Sequence, residues 1–252
     1  MISRNNNTKL TLHLFKQKTK KMCFSATASF GASAVLGTIG IIAVAKAKTN
    51  PPRLFATIPL IFAVQQFTEG LLWLTLKNAE MASWQPLLTY IYLVFAMAVW
   101  PLWVPLTIRL MEKDARSKRI MNVLVGIGAL VSVCVVLVLS LYPVEVMTPI
   151  CLNCPFSSTP SLNQHLHYRF TFPPIPKGLI GAFTVLYILA TIITPFISSI
   201  KKMKWLGFVF LASYLFAVIL YNGFVISVWC FFAALLSFVV LWIIRGLRNS
   251  AL

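Results

Sequence analysis

The chain has 252 residues, 59% of them hydrophobic and only 11% charged, with a mean hydropathy of +0.84. A soluble domain carries about 45–50% apolar and about 25% charged residues, so a water-soluble core is excluded and the composition points to an all-α integral membrane protein. The formal net charge of +17 suggests nucleic acid at first sight. However, the basic residues fall between apolar runs, where the positive-inside rule expects them, so the expected partner is the lipid bilayer and not nucleic acid. Long unbroken apolar runs without strand-like alternation also argue against an outer-membrane barrel. Oligomeric state is not readable.

Residues 1–21 are polar, basic and free of acid. A basic start followed by an apolar run to Ala47, with Ala43-Val44-Ala45, could be a signal peptide, but its apolar core would be about twice the usual length. The expectation is a first membrane span over about 26–47. Ser25, Ser29, Ser33 and Gly37 repeat every four residues in it and offer a small-residue stripe for close helix packing. Pro51-Pro52 separates it from a second span, about 54–76. A third follows at about 84–108, where Pro101 and Pro105 imply a kink. The charged turn Arg109–Arg119 leads to a fourth, about 120–142, with Gly126 and Gly128 as close-approach points.

The long loop 143–177 holds Cys151-x-x-Cys154, His165 and His167. Three further spans are expected at about 178–198, 205–221 and 224–244, so residues 22–248 form one seven-transmembrane helix bundle with spans near the length a bilayer needs. Alternate connections carry 13 and 3 Lys and Arg. This places the C-terminus in the cytoplasm of a bacterial-type plasma membrane and the loop 143–177 outside. Residues 1–21, with six more, conflict with that topology, and the conflict vanishes if translation starts at Met22. The tail is therefore expected to be a mis-assigned start or a disordered extension.

The second span, Pro59–Trp73, reads PLIFAVQQFTEGLLW. Gln65, Gln66 and Glu69 are three and four residues apart and can share one helical face. A carboxyl group at membrane depth costs at least a few kcal/mol and normally faces the protein interior or a wet cavity. With Trp73 these residues form the candidate ligand-binding set. Against this stands a cluster that only fixes helix packing.

From Met22 the text MCFSATASFGASAVLGTIG, followed by PLIFAVQQFTEGLLWL, resembles DUF6629, a family of uncharacterised bacterial seven-span membrane proteins. Gln164-His165-Leu166-His167-Tyr168 is similar to an element that precedes the family's fifth helix. The resemblance covers about Met22 to Trp242. It implies a fold and candidate positions, and a start at Met22, but no reaction.

The remaining candidates keep their alternatives. Cys151 and Cys154, on an oxidising exterior, can close a small disulfide, act as a redox pair, or join His165 and His167 on zinc or another divalent metal. No cofactor is certain. Glu69, His165, His167 and Cys23 are the catalytic candidates should the loop fold over the mouth of the bundle, since a carboxylate beside imidazole suits metal binding or proton transfer. Cys23 equally fits a small hydrophobe at the interface, as Cys134 and Cys230 fit inert packing. The tryptophans mostly read as an aromatic belt. No nucleotide-binding or hydrolase motif appears. Three functions therefore stand: a small-ligand, proton or ion binding or sensing module around the Gln-Gln-Glu cluster, a membrane-embedded metal-dependent hydrolase or transferase, and a structural membrane subunit.

Overall fold

The computed structural model describes residues 25–147, 166–171, 176–220 and 233–249. They form an all-α membrane protein. Helix α1 is Ala26–Lys46, capped by the Ser25 hydroxyl, which accepts from the Ala28 N–H at 3.2 Å. A short α2, Asn50–Ala56, runs into α3, Ile58–Thr75. A 3-10 turn, Ala79–Trp84, opens the third span, which continues as α4 (Gln85–Leu93), a π-helical stretch (Val94–Val99) and α5 (Trp100–Met111). Helix α6, Ala115–Leu141, is the longest. Then come strands β1 (Val144–Met147) and β2 (His167–Phe170), α7 (Lys177–Ile188), a second π-helical stretch (Leu189–Ile193), α8 (Thr194–Ile197), α9 (Met203–Leu220) and α10 (Ala233–Asn249).

Five helical stretches among the described residues are long and apolar enough to cross a membrane: Ala26–Lys46, Asn50–Thr75, Ala79–Met111, Ala115–Leu141 and Gly178–Ile197. Two shorter apolar helices, Met203–Ile219 and Leu236–Leu247, stand where the sixth and seventh spans are expected. Large apolar side chains such as Ile41, Val123, Leu130, Val133, Leu137 and Val185 point outward. An exposed surface of that kind suits lipid rather than water.

Several expected boundaries move. The second span starts at Asn50 rather than near residue 54, because Pro51 and Pro52 sit in the first turn, where no backbone donor is needed. The fourth starts at Ala115 rather than near 120, because Asp114 caps it by accepting from the Ser117 N–H at 2.8 Å. That bond holds the exposed Asp114 carboxyl below its ordinary range.

Apolar burial does little to hold helices together in lipid, so close packing and interhelical hydrogen bonds must. The small-residue stripe of α1 serves this role against α3. Ser33 Oγ donates to the Ala63 carbonyl at 2.8 Å, and a Cβ on Gly37 would meet the Ala63 Cβ at 3.8 Å. Across the same contact, a Cβ on Gly70 would collide with the Phe30 ring. On α6 only one of the two expected glycines is a contact. Gly128 lies against the Pro101 carbonyl, where a Cβ would overlap it, while Gly126 meets nothing within 4 Å.

Proline shapes the third and fifth spans through the backbone ahead of it. Each π-helical stretch ends just before a proline, Pro101 or Pro195. A proline donates no hydrogen bond and crowds the carbonyl one turn back, and a widened turn accommodates both. Neighbouring helices bond carbonyls of the first stretch: Tyr187 Oη donates to Ala96 at 2.8 Å and Ser132 Oγ to Ala98 at 2.6 Å.

One expectation is overturned in the long loop. Strand-like alternation is present after all: β1 and β2 pair antiparallel, with Val144 opposite Phe170 and Met147 opposite His167. Val144, Val146, Leu166 and Tyr168 turn inward and pack with Leu72, Trp73, Leu88 and Tyr92. Gln85 Nε2 donates to the Val146 carbonyl at 2.9 Å and anchors the hairpin to α4.

The opposite end is fastened by a carboxylate. Glu112 is only 3% exposed and accepts from Lys113 N–H, Asp114 N–H, Ser198 Oγ, Ser199 N–H and Ser199 Oγ. Burial alone would raise its pKa. The donors, led by the Ser199 hydroxyl, outweigh burial and hold it at about 2, against an ordinary 4.5.

Two predictions follow from these contacts. Gly128→Ala lowers stability by about 1–3 kcal/mol through the Pro101 collision, while Gly126→Ala changes it by less than about 0.5 kcal/mol; unfolding in detergent compares the two. The Glu112 contribution, on the order of 3 kcal/mol, is fully present above pH 4.5 and fades as pH falls toward 2. Glu112→Gln, which turns one acceptor oxygen into a donor facing donors, is less stable at neutral pH and lacks that acid-side loss.

Candidate functional site

Helix α3 passes between two apolar cores. Phe62 and Ala63 belong to the one nearer the Glu112 end, with Trp100, Val104, Phe210 and Val240. Leu72 and Trp73 belong to the one beneath the hairpin. Gln65, Gln66 and Glu69 lie on the two turns between, and all three are fully buried. With about 3.6 residues per turn, Phe62, Gln66, Glu69 and Trp73 follow one stripe of the helix, and Gln65 lies beside it.

Each polar side chain is placed by a specific contact. Gln66 Nε2 donates to Glu69 Oε2 at 3.0 Å. Trp100 Nε1 donates to Gln65 Oε1 at 2.9 Å, and its ring stacks on Phe62 with centroids 3.8 Å apart. Trp100 was expected in an interfacial belt. It is buried instead, because its N–H answers a glutamine at membrane depth. Trp73 is buried as well, whereas Trp84, Trp205 and Trp242 remain exposed as a belt requires.

Two buried polar atoms on the stripe have no hydrogen-bond partner in the described structure: Gln66 Oε1, an acceptor, and Trp73 Nε1, a donor. A buried unpaired donor or acceptor costs about 1–3 kcal/mol. Here one of each kind flanks the Glu69 carboxyl. A donor at Gln66 Oε1 and an acceptor at Trp73 Nε1 would satisfy them.

The hairpin covers this end of the stripe. Tyr168 of β2 packs in the same core as Trp73 and stacks on Tyr92 with centroids 5.4 Å apart. The described ends of the loop, residues 144–147 and 166–171, thus pack on this end of the bundle. His167 is described in its backbone alone, and His165, Cys23, Cys151 and Cys154 lie outside the described residues. Among the described residues no three of His, Cys, Asp and Glu gather to hold a metal ion. Cys134 is a half-buried free thiol.

Beside the stripe lies a small, almost wholly apolar cavity of about 20 Å³, room for about one water. Phe62 and Trp100 form the wall shared with the polar site, and Phe210 and Leu236 face them. Ala96 and Thr191, one from each π-helical stretch, complete it with Tyr187.

The chain matches the sequence profile of a family of unknown function, DUF6629, over residues 22–150. That range contains α1 to α6 and the whole polar stripe. No curated protein and no solved structure matches the chain.

Trp100→Phe keeps the stack on Phe62 and removes the donor to Gln65. It lowers stability by about 1 kcal/mol, measured by unfolding in detergent; an unchanged midpoint would show that the bond contributes nothing to the fold.

Proposed function

Since the chain belongs to the DUF6629 family, its activity has to be read from its own residues, and we propose that it is a membrane-embedded module that binds or senses a small ligand or proton at Glu69. The observation that carries this reading is the pair of unpartnered atoms, Gln66 Oε1 and Trp73 Nε1, on either side of the buried carboxyl. A cluster serving only to fix packing would be expected to close its hydrogen bonds within the protein. This one leaves an acceptor and a donor for something else.

The wider setting of the proposal is a seven-span bundle in the plasma membrane, with the lipid bilayer as partner. The two shorter apolar helices support the count. The charge bias supports an orientation in which Glu112 and the basic connections face the cytoplasm and the hairpin faces outward. In this orientation the ligand reaches Glu69 from the hairpin side or from the bilayer.

The hydrolase or transferase reading draws support from one feature only, the folding of β2 onto the core that holds Trp73. It would engage Glu69 with His165 and His167 and a divalent metal. Metal bound in stoichiometric amount by the full chain, and lost in a His165→Ala/His167→Ala double variant, is the result that would favour it.

Glu69→Gln separates binding from packing. The binding reading predicts that a pH- or ligand-dependent change in tryptophan fluorescence, reported by Trp73, disappears in the variant while the folded state persists. A response that survives Glu69→Gln, or a variant that merely loses stability, would assign Glu69 to packing.

A further inference from the structure

The two ends of the bundle differ in charge. At the hairpin end Glu80 and Glu145 stand against Lys77, Arg169 and Lys177. At the Glu112 end basic residues arrive from the connections before α2, α6 and α9 and from the close of α10. The carboxylates there, Glu112 and Asp114, take their hydrogen bonds from serine hydroxyls and backbone N–H groups. Among the described residues no lysine or arginine side chain bonds to either, so the basic charge of this end is left to meet something outside the chain.

One corner of this surface is built around a positioned ammonium. Lys202, in the turn before α9, sets its Nζ 4.7 Å above the centre of the Trp242 ring on α10. Gly246, one turn further along α10, leaves room for it, since a Cβ there would collide with the Lys202 ammonium. An ammonium on an indole face beside a helix C-terminus is attracted by the ring quadrupole and by the helix dipole, and neither neutralises it. Lys201 and Lys204 flank it and are exposed, and Arg245, also exposed, lies three residues from Trp242 on the same side of α10. Trp205 and Trp242 are themselves 61% and 46% exposed. We propose that Lys202 and Arg245, with Lys201, Lys204 and the two indoles, form a site for the headgroup of an anionic phospholipid.

The chemistry selects the occupant. Exposed indoles beside lysines mark the depth of the lipid headgroups, where an apolar ring and a polar N–H both find their medium. Cations at that depth meet the lipid phosphate. Lys202, already held on Trp242, loses less side-chain freedom in binding it than an unrestrained lysine does. A phosphodiester whose headgroup carries no other charge keeps its full attraction to the four cations. The ammonium of a zwitterionic headgroup would stand against them. A soluble phosphate would meet the same cations but leave the outward indole faces uncovered, whereas a lipid lays its glycerol and upper chain on them.

The test uses the full chain in detergent micelles with added phosphatidylglycerol or phosphatidylcholine, and native mass spectrometry counts the bound lipid. Phosphatidylglycerol is expected to bind more tightly than phosphatidylcholine. Lys202→Met, which keeps most of the side chain and removes its charge, should weaken phosphatidylglycerol about fivefold, the effect of one basic residue beside an anionic headgroup. Arg245→Gln, at an exposed position, gives a similar loss should the first variant not fold. Arg119→Gln removes a charge at the same end, on α6, and should leave binding unchanged. An equal loss in Arg119→Gln would overturn the proposal and leave a diffuse basic face that only sets membrane orientation. Equal binding of the two lipids would overturn it by removing selection for charge. Displacement of phosphatidylglycerol by inorganic phosphate at constant ionic strength would overturn it by assigning the corner to a soluble anion. None of these readings involves Glu69, so the two proposals stand or fall separately.

Discussion

A carboxyl group held between two apolar cores imposes the main constraint on this structure. Glu69 has no exposure, and Gln65 and Gln66 share its burial on the same helix. Polar groups at that depth must find partners inside the protein or hold something that acts as one. The surrounding architecture is arranged accordingly. Trp100 brings an indole N–H to Gln65 from the third span, and Gln66 turns its amide toward Glu69. The hairpin closes one end over Tyr92 and Trp73, and the Glu112 network ties the other. On the stripe, Gln66 Oε1 and Trp73 Nε1 are left without a hydrogen-bond partner.

The same rule governs the backbone. Prolines at 101 and 195 would leave membrane-depth carbonyls crowded or unmet. The chain widens the turns before them and supplies hydroxyls, from Tyr187 and Ser132 to the first stretch and from Thr194 to Ala190 in the second. Gly128 then allows α6 to lie directly on the Pro101 carbonyl. The hydroxyl that bonds Ala96 therefore also fixes one wall of the small cavity.

Much of this was legible in the residues, for identifiable reasons. The spacing of Gln65, Gln66 and Glu69 alone put them on one face, and the small residues of α1 announced its contact with α3. Local chemistry also set the helix starts at Pro51-Pro52 and Asp114, once their capping roles are recognised. Partners far apart in the chain were not legible. Trp100 lies 35 residues from Gln65, and Ser198 and Ser199 lie 86 and 87 from Glu112. Nothing local in either segment encodes those meetings. The hairpin was partly legible: Leu166-His167-Tyr168-Arg169-Phe170 alternates as a half-buried strand does, but it is short and far from its partner in β1. The prolines were visible, whereas the first π-helical stretch draws on hydroxyls from other helices.

The central claim is that the stripe beside Glu69 holds a molecule that is not part of the chain. A high-resolution density map of the protein in nanodiscs tests this most directly. The account predicts a feature within hydrogen-bond reach of Gln66 Oε1 or Trp73 Nε1, beside Glu69, that no protein atom explains. A map in which the Gln66 amide and the Trp73 indole each bond to protein groups, with nothing between them, would contradict it and make the cluster a packing device.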